Sequence, residues 1–257
     1  MCTYVDVQVI IINMKNKTIT WVARSEYCEE VCPKPIPAAQ MIPEWWKKMT
    51  PYIPSYDNPD GSKLIIKDSE SNASWKKCTP LRDAMTSGYI IPLWTDVQVQ
   101  RNKNIEDDWK VTWRVKGMDV FQYRGPNSDF IETPQGFAKQ MMTYLNGWIP
   151  QTPPGYSVLI TPPFGYRNLP FMTIPAIVDT DKHKIAVDAV GWFRNDFEGI
   201  IEKGTPLLQI TPFKRENWES EFSVYTADKL KQLEDKTFRS TTVGQYIKNV
   251  WTRKVYK

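Results

Sequence analysis

The sequence predicts a mainly β protein made of short strands delivered into proline and glycine corners. Three observations carry this. Twenty prolines in 257 residues leave little room for long helices, because proline lacks an amide donor and breaks helix interiors. Aromatic residues make up 13% of the chain, 11 of them tryptophan, which is enough to fill a well-buried core. Residues 152–213 repeat one design: short apolar runs at 155–160, 174–178 and 206–210 each adjoin a Pro or Gly turn.

Along the chain, residues 4–12 alternate and then become continuously apolar, as a core strand does. Lys15, Asn16 and Lys17 make a turn, and residues 18–23 return as a partner strand. Prolines 33, 35, 37, 43, 51 and 54 punctuate the next stretch, where Pro43 can start one or two helical turns running to Met49. The pair Trp45 and Trp46 within it serves best as an anchor for an irregular segment. Residues 56–73 are polar and turn-rich around a short strand at 63–67, a surface excursion.

Helix-start chemistry follows at Thr79, with Pro80 in the first turn and Asp83 near the amide end. Ser87 and Gly88 end that helix. Residues 89–100 read as one long strand, and 110–115 pair with it across 102–108. Phe137, Met141, Met142 and Leu145 fall at helical spacing and predict a helix over 135–145. The last region turns helical at 225–233, and again at 242–251, where Val243, Tyr246, Ile247 and Val250 share a face. The chain divides into an N-terminal elaboration (1–78), a core (79–225) and a basic helical C-terminal segment (226–257).

A formal charge of +4 is mild, and nothing in its distribution predicts a nucleic-acid partner. The apolar run near the start is too short and polar to span a bilayer, so no membrane association is expected. It also lacks the basic flank and cleavage site of a secretory signal. Cys2, Cys28, Cys32 and Cys78 are therefore expected as reduced thiols in a cytoplasmic protein. A zinc site on Cys28 and Cys32 would need two more ligands, with only Cys2, Cys78 and His183 available beyond carboxylates, so no zinc is expected.

The corners carry a family likeness. Ile201-Glu202-Lys203-Gly204-Thr205-Pro206-Leu207-Leu208-Gln209-Ile210 resembles the late motif of the dUTPase and dCTP-deaminase group, in which a glycine turn precedes a returning strand. Ile177-Val178-Asp179-Thr180-Asp181 resembles the substrate-site hairpin of that group. Pro154-Gly155-Tyr156 through Gly165 sits where the group has a strand and a phosphate-contacting turn, and Ser87-Gly88-Tyr89 is similar to its opening motif. The resemblance implies a β-clip (dUTPase-like) core with N- and C-terminal elaborations, and a trimer or other homo-oligomer.

It also implies where a site would lie. Asp179 would activate water and Asp181 would hold a divalent ion, with Tyr156, Lys182, His183 and Gln209 contacting substrate. Two carboxylates two positions apart on a strand share a face and can hold Mg²⁺ or perturb each other, whereas in a turn both would cap backbone amides. Yet Pro163-Phe164 replaces the Arg-Ser of the phosphate turn, Lys182 replaces the stacking Tyr, and residues 238–244 contain a single glycine. Loss of a guanidinium removes charge and two-point geometry for a polyphosphate. The expected role is thus a non-catalytic binding or assembly protein without a cofactor. The alternative is a Mg²⁺-dependent hydrolase of a nucleotide or small anionic substrate, with Asp179 as its base and Arg167, Lys182, Lys184 or Arg194 supplying the missing positive charge.

Overall fold

A computed structural model describes residues 17–52, 74–101, 109–114, 116–125, 131–242, 247 and 250–257. The expected strands at 4–12 and 63–67 lie outside these residues, as does most of the expected helix at 242–251.

The chain opens with β1 (Thr20–Ala23), α1 (Glu26–Val31), β2 (Ile36–Pro37), α2 (Glu44–Lys48) and α3 (Thr79–Thr86). Strands follow as β3 (Tyr89–Pro92), β4 (Val97–Arg101), β5 (Trp109–Trp113), β6 (Phe121–Tyr123), β7 (Phe137–Tyr144) and β8 (Trp148–Gln151). Then come β9 (Tyr156–Thr161), β10 (Phe171–Thr173), β11 (Ala176–Val178), β12 (Ala189–Arg194), β13 (Gly199–Ile201) and β14 (Pro206–Lys214). A helix, α4 (Ala227–Thr242), comes last. The protein is mainly β.

Among the described residues four antiparallel sheets form. One has the order β11-β9-β14-β3-β2, a second β10-β12-β7-β6, a third β13-β4-β5, and a fourth pairs β1 with β8. Strand β14 is central to the first sheet, and its Leu207, Leu208 and Ile210 are wholly buried, as a strand covered on both faces must be. Phe121, Phe171 and Phe193 meet with ring centroids 5.0–5.1 Å apart, joining β6, β10 and β12 through one edge-on and two tilted ring contacts.

The expected strand over 89–100 divides in two. The chain passes from the first sheet (β3) to the third (β4), and the β13–β14 chain makes the opposite passage beside it. Their shared corner is tied by Leu93 N to Thr205 O and Gly204 N to Leu93 O, both 2.7 Å, and by the Lys203 amide on Asp96 Oδ1 at 2.7 Å. Gly204 holds φ +89°, the left-handed backbone the tight turn demands.

The helix expected over 135–145 is a strand. Strand β7 pairs with β12 on one side and β6 on the other. Residues 141–145 are all buried, which one stripe of a surface helix does not allow. Helix preference differs among such residues by only about 0–0.7 kcal/mol each, so two ladders of hydrogen bonds override it. The expected cap at Thr79 moves back one residue, to Cys78, and Gly88 ends α3 with φ +70°. Strand β1 finds a described partner in β8, and β5 pairs with β4 as expected. The Trp45–Trp46 pair is an anchor: Trp46 is buried and Trp45 Nε1 donates to Gly165 O at 2.7 Å.

Candidate functional site

Because β14, β9 and β11 are neighbours, three chain points meet at one end of the first sheet: the exit of β14, the entry of β9 and the turn after β11. That turn is Asp179–His183. It is closed by the amides of Lys182 and His183 on Asp179 O, at 2.9 and 2.8 Å. Thr180 is buried beneath it, with its hydroxyl 2.7 Å from that of Thr152.

Arg215, just past β14, occupies the centre. Its amide donates to Gly155 O at 2.9 Å, which extends the ladder by one bond and fixes the side chain. Its Nη1 donates to Asp181 Oδ1 at 2.8 Å and to Ser157 Oγ at 2.9 Å, and Nη2 contacts Asp181 Oδ2. Asp181 Oδ2 also accepts from Gly155 N at 2.9 Å. The Asp181 side chain is only 7% exposed. The Arg215 hydrogen bonds, then the Gly155 amide, hold its carboxyl far below the usual carboxylate range against the opposing effect of desolvation. Asp179 lies at the open side, accepting from Ser157 Oγ at 2.6 Å with Arg215 Nη1 at 3.2 Å.

Both expected carboxylates therefore converge, but around a guanidinium. A divalent cation does not fit there while Arg215 fills the space between them and supplies the positive charge. Among the described residues no three His, Cys, Asp or Glu side chains gather at metal-binding distance.

Of the other expected site residues, Tyr156, Lys182 and His183 border this turn, whereas Gln209 does not. Tyr156 is half-buried, offers its carbonyl to Arg215 at 3.1 Å, and carries its ring beneath the Lys17 ammonium at 5.8 Å. Lys182 is exposed on the turn and adds positive charge near Asp181. His183 Nε2 sits 3.2 Å from Ala186 O. Gln209 belongs to a different place. Its Nε2 donates to Ala84 O (2.9 Å) and Ser87 O (2.6 Å), and its Oε1 accepts from Phe164 N (3.0 Å). Fully buried with its polar atoms engaged, it braces α3 to the loop after β9.

Sequence reasoning missed Arg215, whose acidic sequence neighbour, Glu216, pairs with Lys214, while its own carboxylate partners lie more than 30 positions away. Of the basic residues it named instead, Lys182 stays exposed beside Asp181 and the other three are engaged elsewhere. Arg194 binds Asp196 at 2.6–2.8 Å, Arg167 lies over the Trp45 ring at 4.8 Å, and Lys184 donates to Thr180 O at 3.2 Å.

Two further features bear on function. A cavity of about 380 Å³ opens between the first and second sheets, with Met141, Ile160, Ile174, Ala176 and Val190 among its walls and Arg124 on its lining. Cys28 and Cys32 are buried free thiols, and Cys28 Sγ lies 3.2 Å from Met118 Sδ. Burial, then the neighbouring Cys28, pushes the Cys32 thiol up to about 12. That is the opposite of what a nucleophile or a metal ligand needs.

The chain matches no family model, no curated protein and no solved structure. No described helix is long and apolar enough to cross a membrane.

Proposed function

We propose that this chain is a non-catalytic binding or assembly protein on a dUTPase-like β-clip core. The observation that carries the proposal is the Arg215 latch. In a hydrolase of the kind the resemblance implies, Asp179 and Asp181 would have to be free to hold water or Mg²⁺. Here one guanidinium takes Asp181 in two-point geometry and reaches Asp179, and Asp181 is nearly closed to solvent. Gln209, the expected substrate contact, spends both ends of its amide on backbone. These are the contacts of a structural corner. The β3–β4 and β13–β14 passages, side by side between two sheets, support the β-clip reading of that corner.

The Mg²⁺-dependent alternative requires Arg215 to swing out before Asp179 can act. A thermal-shift screen of uracil, cytosine, adenine and guanine nucleotides, each with and without Mg²⁺, separates the two readings. No Mg²⁺-dependent rise in Tm is expected. A rise with one base that disappears in Asp179→Ala would replace the binding or assembly reading with the enzyme.

A further inference from the structure

The cavity of about 380 Å³ between the first and second sheets is too large to be slack in the packing, because protein interiors leave few voids bigger than a water molecule. Its volume falls within the roughly 300–1,000 Å³ of small-molecule sites. Strand register shows how the chain builds it. Ile160 on β9 stands opposite Ala176 on β11, so both side chains leave the same face of the first sheet. On the second sheet Val190 stands opposite Thr143, and Met141 lies two residues back on that same face. The Arg124 amide donates to Met141 O at 3.0 Å, which carries the β6–β7 ladder one residue past β6 and brings Arg124 to this face as well. Ile174 closes one side, pinned by its amide on Val190 O at 2.7 Å.

The lining is graded from inside to outside. Met141, Ile160 and Ala189 are each no more than 2% exposed and form the floor, whereas Arg124, Ile131 and Ala176 are exposed at the mouth. A molecule entering here meets a cation first and hydrocarbon further in.

Two ionic groups line the cavity, and only one has its charge countered. Asp188 Oδ1 takes Arg24 Nη2 and accepts from the Asn146 amide at 3.0 Å, so Arg24 and Asp188 cancel. Among the described residues no carboxylate forms an ion pair with Arg124. One positive charge is left over, on a planar guanidinium whose parallel donors match a carboxylate.

We propose that this cavity binds a small amphipathic acid, with its apolar body against Met141, Ile160, Ile174 and Val190 and its carboxylate on Arg124. At about 30 Å³ for each water-sized group, the space holds roughly a dozen non-hydrogen atoms. A ligand of the opposite polarity, with an amine on Asp188, would have to compete with Arg24 for that carboxylate and would bring a second cation toward Arg124. The cavity shares no residue with the Arg215 latch. The inference therefore goes beyond the binding or assembly reading above, and the nucleotide screen does not decide it.

The test titrates the full chain by calorimetry with decanoate, octanoate, hexanoate, decanol and decylamine, each below its micelle concentration. Decanoate is expected to bind once per chain, and each methylene removed should weaken binding about fourfold. Decanol should bind about tenfold more weakly than decanoate, and decylamine more weakly still. Arg124→Gln should lower decanoate to the level of decanol and leave decanol unchanged. Ala176→Trp, which places a large side chain at the exposed mouth, should block both ligands with circular dichroism and Tm unchanged. No binding of decanoate at millimolar concentration overturns the inference. So does equal affinity for acid, alcohol and amine, or a preference for the amine, which would make Asp188 the head-group contact. A folded Ala176→Trp chain that still takes up decanoate places the acid elsewhere and overturns it too. If Ala176→Trp does not fold, the comparison of decanoate with decanol in Arg124→Gln decides alone.

Discussion

Arg215 and Asp181 face each other in a two-point pair, with Nη1 2.8 Å from Oδ1 and Nη2 on Oδ2, and the Asp181 carboxylate also takes the Gly155 amide. The pair joins the exit of the central strand β14 to the turn after the edge strand β11, with the entry of β9 between them. A carboxylate that looks catalytic in one dimension thereby becomes a clasp in three.

The clasp predicts an acid-sensitive stability. The Asp181 pKa is lowered in the folded chain, so its contribution is present above the unfolded carboxylate pKa of about 3.9 and fades as pH falls below it. Urea midpoints measured from pH 6 down to pH 2.5 should therefore fall more steeply for the parent than for Asp181→Asn. At pH 6 both Asp181→Asn and Arg215→Ala should melt below the parent. Equal slopes would show that the pair contributes nothing.

Gln209 should behave as a brace. Gln209→Leu strands two backbone carbonyls and one amide, each costing about 1–3 kcal/mol if left unmade in a buried place. A loss of roughly 3 kcal/mol, read from urea unfolding, is expected. Gln209→Glu should be worse at neutral pH, because a carboxylate would face the carbonyls of Ala84 and Ser87. A variant with parental stability would return Gln209 to the role of ligand contact.

Two glycines at positive φ should separate by what surrounds them. At Gly88 (φ +70°) an added Cβ would meet Ile210 O at 2.1 Å, whereas at Gly204 (φ +89°) nothing lies within 4 Å. Gly204→Ala is expected to cost about 1–2 kcal/mol of backbone strain alone. Gly204→Val should cost more, since branching stiffens the residue further. Gly88→Ala should exceed Gly204→Ala clearly and yield little folded protein. Comparable melting of the two alanine variants would contradict the close approach at Gly88.

Thiol labelling should follow burial. Cys32 is buried with its thiol pushed to about 12, and Cys28 beside it is buried, while Cys78 is half-buried. At neutral pH a thiol reagent should modify Cys78 well before either of the α1 pair, which should react only on unfolding. Fast modification of Cys32 in the folded chain would contradict this packing.

The sequence by itself determined the alternating, proline-broken character of the chain. It located β1, β9, β11, β14 and the β4–β5 hairpin, because a half-buried or fully buried strand writes its period locally. It also singled out Asp179 and Asp181 as a pair, on one strand face or as caps of a turn. Tertiary structure decided the rest. Met141 and Met142 suit a helix until β12 and β6 offer hydrogen bonds on both sides. The 89–100 run suits one strand until the chain must change sheets at Leu93. Arg215 stands 34 positions from Asp181, and no local period relates them. Local patterns state what a residue can become, whereas partners brought together across the sequence fix its role, since ladder bonds, ion pairs and burial all act between residues the chain does not place side by side.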